Sequence, residues 1–294
     1  MTIEIDKYAG FCWGVVRAID FAENVLNSGG ELYSLGDIIH NKSEVDRLSN
    51  LGLKIIAVSD FPKLPERSKV LIRAHGEPPS TYSEALKYKI ELVDATCPVV
   101  TKVQERIRKF VEKEFQIVIF GKKDHAEVVG LNGVTGGTAI VILSVQEALE
   151  KVKFEKKTVL FSQTTMDRPT FYQIADTLRG RIKEFEVGTV EETATEFLAK
   201  DTICGQVSGR EKKLREFGKN LDVIIFSSGR KSSNGKVLYS IVKEENEKSY
   251  FIENKDEIDW GWFDGCNSVG ITGATSTPKW AMEEIRDLLN NKFN

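Results

Sequence analysis

Short apolar runs, rich in β-branched residues, alternate with amphipathic stretches along most of the chain. The runs are four or five residues long, which suits buried parallel strands better than helices. They lie at 54–58, 69–72, 116–120, 139–143, 158–161 and 222–226. Residues 1–6 have a further short strand pattern. We therefore predict a strand at each of these positions.

Between these runs, apolar residues recur with the period of a helix. The clearest stretches lie at 99–114, 145–152, 169–179 and 236–246. Strands that alternate with helices in this way are typical of parallel sheets covered by helices on both faces. The pattern predicts the α/β fold class, with small open parallel sheets.

Three of the four cysteines precede a helical stretch, namely Cys12, Cys97 and Cys204. This weak repeat predicts three α/β domains, each with one thiol at a helix start. We place the domains at 1–95, 96–190 and 191–294, the last with a C-terminal segment. They carry Cys12, His40 and His75, then Cys97, His125, Glu127 and Thr164, then Cys204, Ser232, Asn234 and Ser276.

Polar residues gather where predicted strands end. All three histidines follow strands in this way, as do the hydroxyl-rich segments 232–234 and 275–277. Ligands of open α/β sheets bind beyond the carboxyl ends of the strands. Singly, each hydroxyl also suits an ordinary helix N-cap, and each histidine suits a structural role. Together they predict an anion site, because helix N-termini and imidazoles suit a diphosphate.

The cysteines allow two interpretations. A thiolate at a helix N-terminus is stabilised by the helix dipole, so its pKa is expected to fall. No CxxC pair is present, which argues against a zinc ribbon. Three such thiols suit an iron–sulfur cluster with one iron free of protein ligands, able to act as a Lewis acid. The alternative is that the cysteines are small buried hydrophobic residues, as we expect for Cys266.

Charge and length narrow the class of protein. The chain of 294 residues has 41 Lys and Arg against 44 Asp and Glu, a net charge of −3. A nucleic-acid binder usually has a basic excess. No apolar run reaches the roughly 18 residues of a membrane span, and the first residues do not form a signal peptide. We expect a cytoplasmic protein with reduced thiols that binds neither nucleic acid nor a membrane.

Nine short motifs follow one another between about residue 8 and about residue 290. They are AGFCWGVVRAI, LGDIIHN, IRAHG, DATCPVV, DHAEVVG, SQTT, DTIC, SSN and GITGATSTP. In this order they resemble the motifs of the LytB family of 4-hydroxy-3-methylbut-2-enyl diphosphate reductases. Because three motifs centre on cysteine and three on histidine, the resemblance is specific.

The resemblance implies a reaction and a cofactor. A [4Fe-4S] cluster would be held by Cys12, Cys97 and Cys204, with one iron lacking a protein ligand. The domains would surround the cluster as a pseudo-threefold trefoil. The substrate would be the allylic (E)-4-hydroxy-3-methylbut-2-enyl diphosphate, reductively dehydroxylated to isopentenyl and dimethylallyl diphosphate in the last step of the methylerythritol phosphate pathway. A ferredoxin or flavodoxin would donate single electrons.

The resemblance also implies roles for the polar residues. Catalysis would rest on Glu127 as the proton source, Thr164 as the group that positions the substrate hydroxyl, and His125. Gln163 would belong to the substrate-binding set, one layer behind the residues that contact the substrate. The diphosphate would be held by His40, His75, His125, Ser232, Ser233, Asn234 and Ser276.

Some positions depart from the family pattern, and two other functions stay open. The segment 205–211 after Cys204 is unusual, as are Lys231 and Gly235 beside the Ser-Ser-Asn motif. One alternative function is another three-cysteine cluster enzyme of the quinolinate synthase kind. The other is a metal-binding or redox-sensing module without catalysis, which would need the cysteines but not Glu127.

Overall fold

The computed structural model describes residues 1–188 and 196–293. Within them the strands are β1 Thr2–Ile5, β2 Tyr33–Leu35, β3 Lys54–Ile56, β4 Lys69–Ile72, β5 Glu91–Asp94, β6 Gln116–Phe120, β7 Ile140–Ile142, β8 Thr158–Ser162, β9 Phe197–Ala199, β10 Val223–Ser227, β11 Ser249–Ile252 and β12 Ser268–Gly273. The helices are α1 Trp13–Asn27, α2 Lys42–Asn50, α3 Pro79–Lys87, α4 Pro98–Val111, α5 Ala126–Val134, α6 Val145–Lys151, α7 Arg168–Gly188, α8 Gly205–Ser208, α9 Arg210–Lys219, α10 Ser233–Glu245 and α11 Lys279–Phe293.

The strands form three four-stranded sheets. The first sheet has the order β1-β12-β10-β11, the second β3-β2-β4-β5 and the third β7-β6-β8-β9. Pairing is parallel throughout the first and third sheets, and β2 pairs in parallel with β3 and β4. The predicted fold class, α/β with small parallel sheets, is confirmed. The predicted trefoil arrangement stays a prediction.

The three sheets share one strand order. In the second and third sheets, the four strands counted along the chain are ordered 2-1-3-4. The first sheet has the same order when β10, β11 and β12 are counted as positions one to three and β1 as position four. Its fourth strand therefore comes from the other end of the chain. The weak repeat seen around the cysteines is thus a repeat of topology.

Alternation within β6 and β8 explains how the third sheet is covered on both faces. Odd-numbered side chains of these strands pack with α4 and α5, in a cluster of Val103, Ile107, Ile117, Ile119, Val128, Leu131, Val159 and Phe161. Side chains of the opposite face, such as Val118 and Leu160, pack with Ala148 of α6 and Phe171 of α7. Burying each such side chain contributes about 1.5–3 kcal/mol.

The first sheet is built in the same way. Ile225 and Ile271 face Met282 and other apolar residues of α11. Ile224 and Phe226 face the opposite side, where Leu214 of α9, Leu238 and Val242 of α10 and Ala274 complete the cluster. The strand ends, and the polar segments that follow them, are therefore attached to a rigid core.

The predicted elements agree closely with the structure, and the differences have local causes. The strands at 69–72 and 116–120 are confirmed to the residue. Helix α10 begins three residues before the predicted start, because the hydroxyl of Ser232 accepts a hydrogen bond from the Gly235 N–H at 3.0 Å and caps it. Helix α7 extends beyond the predicted end at 179.

Contacts divide the chain into two compact units. The first unit comprises Met1–Ala57, Ser68–Ala74 and Gly205–Asn294, and the second comprises Val58–Arg67 and His75–Cys204. The predicted boundary at residue 190 lies outside the described residues, and the three predicted domains stay a prediction. Among the described helices, none combines the length and the apolar character needed to cross a bilayer.

Candidate functional site

The shared strand order places the predicted site residues at equivalent positions. In a 2-1-3-4 sheet, strands one and three are adjacent and their carboxyl ends flank the switch point where ligands bind. Strand one is followed by His40 in the second sheet, by His125 and Glu127 in the third, and by Ser232, Ser233 and Asn234 in the first. Strand three is followed by His75, by Gln163 and Thr164, and by Ser276 respectively.

The cysteines share a different equivalent position. Cys12 follows β1, Cys97 follows β5 and Cys204 follows β9, which are the fourth strands of the three sheets. Cys12 and Cys97 are the N-cap residues of α1 and α4, and Cys204 directly precedes α8. Each thiol therefore stands where the chain leaves one sheet and enters a helix.

Glu127 and Thr164 form a buried pair in the second unit. The Thr164 backbone N–H donates to Oε1 of Glu127 and the Thr164 hydroxyl donates to Oε2, both at 2.7 Å. Glu127 is 1% exposed and Thr164 is 6% exposed. Two hydrogen bonds thus hold the Glu127 carboxyl group, in the first turn of α5, against the segment that follows β8.

Burial gives the Glu127 carboxyl an unusual proton affinity. Removal from water raises the pKa of Glu127 to about 7, although both Thr164 hydrogen bonds favour the carboxylate and lower it. A carboxyl with a pKa near neutrality holds a proton on a large fraction of molecules and releases it readily. These are the properties of a general acid.

The two histidines of the second unit lie edge to face. The ring centroids of His75 and His125 are 5.2 Å apart, with an interplanar angle of 89°. Nδ1 of His125 accepts a hydrogen bond from the Glu127 N–H at 3.2 Å, so His125 is the N-cap of α5. This bond requires an unprotonated Nδ1, so a neutral His125 ring carries its proton on Nε2.

Gln163 is buried beside the Glu127–Thr164 pair and uses both ends of its amide within the protein. Its Oε1 accepts from the Lys122 N–H at 3.1 Å and its Nε2 donates to the Thr165 hydroxyl at 2.8 Å. A Cβ at Gly121 would lie 2.9 Å from the Gln163 side chain, so glycine is needed there. Gln163 thereby joins the segments after β6 and β8 and holds Thr164 in place.

Cys97 and Cys204 belong to the same unit as Glu127. Burial raises the pKa of the Cys97 thiol, while N–H groups of Val99 and Val100 lower it, and Cys204 and Glu127 raise it further. The expected net fall in thiol pKa at a helix start is therefore wrong for Cys97, because burial outweighs the helix. The Cys204 N–H donates to the Thr164 carbonyl at 2.8 Å, which ties the Cys204 segment to the residue that bonds Glu127.

In the first unit, Thr275 connects Cys12 with Asn234. The Cys12 N–H donates to the Thr275 carbonyl at 3.1 Å, and Nδ2 of Asn234 donates to the Thr275 hydroxyl. Asn234 is 4% exposed, and its Oδ1 has no hydrogen-bond partner among the described residues. One amide atom of Asn234 is therefore left for a ligand.

The serine hydroxyls predicted for the anion site lie at the start of α10. Ser276 donates to the hydroxyl of Ser232 at 3.2 Å, and Ser232, Ser233 and Ser276 are all buried. No acidic residue lies in the first turn of α10, so its positive end is not neutralised there. The arrangement suits an anion.

His40 lies against this hydroxyl cluster through its backbone. A Cβ at Gly229 would lie 2.1 Å from the His40 carbonyl oxygen, so only glycine permits this approach between the segments after β2 and β10. The first unit thus brings together the His40 and Ser232 segments, and the second unit brings together His75, His125, Glu127 and Thr164.

Sequence reasoning missed Thr202, did not foresee how Thr275 and Gly235 act, and misjudged one thiol. Thr275 acts partly through its carbonyl, which no side-chain pattern reveals. The hydroxyl of Thr202 bonds both backbone groups of Ser162 and so fixes the segment before Cys204. Gly235 is required because a Cβ there would lie 2.1 Å from the Ser228 hydroxyl. Cys266 is only partly buried, and its thiol donates to the Ser268 carbonyl.

Comparisons with known proteins agree with this site. The model of the LytB protein family matches residues 3–290. A 4-hydroxy-3-methylbut-2-enyl diphosphate reductase of Chloroherpeton thalassium is 46% identical, covering 100% of this chain and 98% of its own. The reductase of Bacteroides thetaiotaomicron is 49% identical, covering 97% and 96%.

Two solved structures are also similar. One, described as (E)-4-hydroxy-3-methyl-but-2-enyl diphosphate reductase, the terminal enzyme of the non-mevalonate pathway, has a TM-score of 0.72 and 33% identity over 99% of this chain and 100% of its own. The Plasmodium falciparum reductase has a TM-score of 0.84 and 25% identity over 99% and 88%. With the family motifs, sheet topology and buried acid in agreement, this chain belongs to the LytB family.

Proposed function

We propose that this chain reductively dehydroxylates (E)-4-hydroxy-3-methylbut-2-enyl diphosphate to isopentenyl and dimethylallyl diphosphate, the last step of the methylerythritol phosphate pathway. The observation that carries the proposal is the buried Glu127, with a pKa of about 7, bonded to Thr164 and close to Cys97. Family membership supports it, because the most similar relatives reported above carry this reductase name. The two alternatives, an enzyme of the quinolinate synthase kind and a metal-binding or redox-sensing module, have no such support.

In this proposal, Cys12, Cys97 and Cys204 hold a [4Fe-4S] cluster with one iron free of protein ligands. The donor set fits, because each thiol occupies the same topological position, between the fourth strand of its sheet and the helix that follows. When bound, the cluster would supply a Lewis acid and the electrons delivered singly by a ferredoxin or flavodoxin. Reduced thiols are consistent with the cytoplasmic location that we infer.

The proton is the contribution of Glu127. Hydroxide is a poor leaving group, so the substrate hydroxyl needs a proton as its carbon–oxygen bond breaks. Glu127 stores this proton near neutral pH, and the Thr164 hydroxyl, 2.7 Å from Oε2, orients the substrate hydroxyl and transmits the proton. His125 is tied to the same turn through the Glu127 N–H and assists this transfer.

The diphosphate is assigned to the segments that follow strands one and three. In the first unit, Ser232, Ser233, Asn234 and Ser276 offer neutral donors at the uncompensated N-terminus of α10. His40, His75 and His125 add imidazole donors. This mixture binds an anion in a chain whose total charge is slightly negative.

Anaerobic turnover tests the proposed function. The purified protein is loaded with iron and sulfide, reduced with dithionite through methyl viologen, and mixed with the hydroxylated diphosphate. We expect iron–sulfur absorbance and release of both isoprenoid diphosphates. A fully loaded protein that releases neither product would overturn the proposal. Conversion of iminoaspartate and dihydroxyacetone phosphate to quinolinate would instead favour the quinolinate synthase alternative.

A further inference from the structure

A buried carboxylate on α2 takes no part in the reaction proposed above. Glu44 lies in the first turn of α2 and is 1% exposed. Its Oε2 accepts hydrogen bonds from Nε1 of Trp280 at 2.8 Å and from Nε of Arg47 at 2.9 Å, and its Oε1 accepts from Nη2 of Arg47. Arg47 also donates to Glu23 of α1. Both oxygens of the Glu44 carboxylate are thus engaged within the protein.

The indole of Trp280 connects this carboxylate to the segment of Ser276. Trp280 lies in the first turn of α11, four residues after Ser276, and is partly buried. Thr277 ties the same segment to the end of β10, because its hydroxyl donates to the Ser227 carbonyl at 2.6 Å. Ser276 in turn donates to the hydroxyl of Ser232 at 3.2 Å. A shift of the first turn of α11 would therefore displace a segment of the proposed diphosphate site.

The backbone of Glu44 connects it to the segment of His40. Asn41, which is 3% exposed, is the N-cap of α2, and its Oδ1 accepts a hydrogen bond from the Glu44 N–H at 3.1 Å. The residue before the cap is His40, whose carbonyl oxygen lies against Gly229. The start of α2 is therefore fixed by the cap and by the side chain of Glu44 together.

Stability alone does not explain a buried charge at this position. Taking charged groups out of water is costly, and well-packed apolar side chains of similar volume often stabilise a protein as much as a buried ion pair does. The hydrogen bond between Glu44 and Trp280 adds direction, because it forms only when the starts of α2 and α11 have one separation and one angle. These two helix starts directly follow segments that are assigned to the diphosphate.

We propose that Glu44 is a positioning residue for the diphosphate. Through Trp280 it holds the His40 and Ser276 segments at the separation that suits the anion. The inference rests on the proposed function, because the anion is the diphosphate of the allylic substrate. With both oxygens engaged, Glu44 does not bind the substrate itself. Its loss should therefore weaken binding of the diphosphate and leave the rate of the chemical step nearly unchanged.

The test first removes each side of this hydrogen bond in the cluster-loaded enzyme. Glu44→Leu removes the acceptor at similar size and leaves Arg47 paired with Glu23, whereas Trp280→Phe removes the donor and keeps an aromatic ring. Each variant should raise KM for the hydroxylated diphosphate about tenfold, with kcat within about twofold. The affinity for inorganic pyrophosphate, measured by calorimetry, should fall by a similar factor.

Two further variants separate positioning from a general loss of stability. Glu44→Gln keeps an oxygen that accepts the indole N–H, so its KM should stay within about threefold of the wild-type value. The double variant Glu44→Leu/Trp280→Phe should raise KM no more than either single variant, because both substitutions remove the same hydrogen bond. Iron content and circular dichroism verify that each variant folds and holds its cluster.

The control is Glu245→Leu, at the far end of α10 from Ser232. Glu245 accepts from Arg215 at 2.7 Å, and Arg215 keeps two other glutamates as partners after the change. The control thus also breaks an ion pair between helices of the first unit. It should lower the midpoint of thermal unfolding about as much as Glu44→Leu does, but leave KM and the affinity for pyrophosphate unchanged.

The positioning role is overturned by any of three results. Pyrophosphate binds Glu44→Leu and Trp280→Phe as tightly as it binds the wild type, the double variant multiplies the two single effects, or Glu245→Leu raises KM equally. A different result would overturn the proposed function instead. In that case the wild-type protein makes no product from the hydroxylated diphosphate, while its binding of pyrophosphate still depends on Glu44 and Trp280.

Discussion

The segments after β6 and β10 occupy the same position in two sheets but carry opposite chemistry. Both follow strand one of a 2-1-3-4 sheet and both enter a helix through a side-chain cap. The segment after β6 places the buried acid Glu127 in the first turn of α5. The segment after β10 leads into α10 with serine and asparagine and no acid. Topology thus decides where a site lies, and the first helical turn decides whether it holds a proton or an anion.

The largest expected effect is a fall in turnover when Glu127, in the segment after β6, can no longer supply a proton. Glu127→Gln keeps the size of the side chain but cannot release a proton at neutral pH. We expect kcat to fall about 10³-fold while substrate still binds, measured by anaerobic turnover and by substrate-induced spectral change. Glu147→Gln is the matched control, because Glu147 also lies in the first turn of a helix but pairs with Lys151 near solvent. An equal fall in kcat in Glu127→Gln and Glu147→Gln would show that Glu127 has no special role as the proton source.

The buried acid should also affect stability as pH changes. The folded-state pKa of Glu127, about 7, exceeds the ordinary glutamate pKa of 4.5, so the folded protein binds this proton more tightly than the unfolded chain does. The free energy of unfolding should therefore decline as pH rises from about 4.5 to about 7 and then level off, by up to roughly 3 kcal/mol. Denaturant titrations of Glu127→Gln from pH 5 to 8.5 should lack this decline. A parallel pH dependence in both proteins would contradict the assignment.

In the segment after β10, which has no acid, substitutions should change substrate binding more than the rate of the chemical step. Ser232→Ala and Asn234→Ala each remove a donor or acceptor at the start of α10, so we expect KM to rise about tenfold with kcat within threefold. Ser144→Ala is the control, because Ser144 caps α6 through the Glu147 N–H as Ser232 caps α10. Both serine variants should lose about 1 kcal/mol of stability, but only Ser232→Ala should raise KM.

The smallest of these effects is a pH shift at Thr164, which adds to the fall in rate expected when its proton-transmitting hydroxyl is removed. Its hydroxyl lowers the pKa of Glu127, so Thr164→Val should raise that pKa and move the alkaline limb of the pH–rate profile towards higher pH, by about one unit. Thr164→Ser keeps the hydroxyl and should restore the wild-type profile. An unchanged pH–rate profile in Thr164→Val would show that the hydrogen bond from the Thr164 hydroxyl does not influence the pKa of Glu127.

Local patterns were sufficient for strands and insufficient for the long-range order of the first sheet. The run 116–120 is β-branched, apolar and bounded by polar residues, so its limits could be read directly. The predicted start of α10, residue 236, lies three residues after the observed start at Ser233, because serine and asparagine suit both caps and ligands. That β1 pairs with β12 has no local signal, since the pairing depends on residues at opposite ends of the sequence.

The sequence nominated candidate residues that the structure brings together, such as Glu127 and Thr164, but it did not reveal their proton affinities. Family motifs singled out Glu127 and Thr164, whereas the neutral pKa of Glu127 depends on burial that a sequence does not display. The same holds for Cys97, whose helix-start position predicts a lower pKa while burial and its neighbours raise it. Thr275 was noted for its hydroxyl, but its link to Cys12 passes through a backbone carbonyl that no side-chain pattern reveals.

The pairing of β1 with β12 has a consequence for biosynthesis. Asp6 and Thr272, which are hydrogen-bonded at the end of these strands, are 266 positions apart, so the first strand leaves the ribosome long before its partner exists. The second and third sheets are made of contiguous segments and are free to form during translation. We expect the first sheet to assemble last and Cys12 to reach its final place only in the finished polypeptide, so that metal insertion follows release.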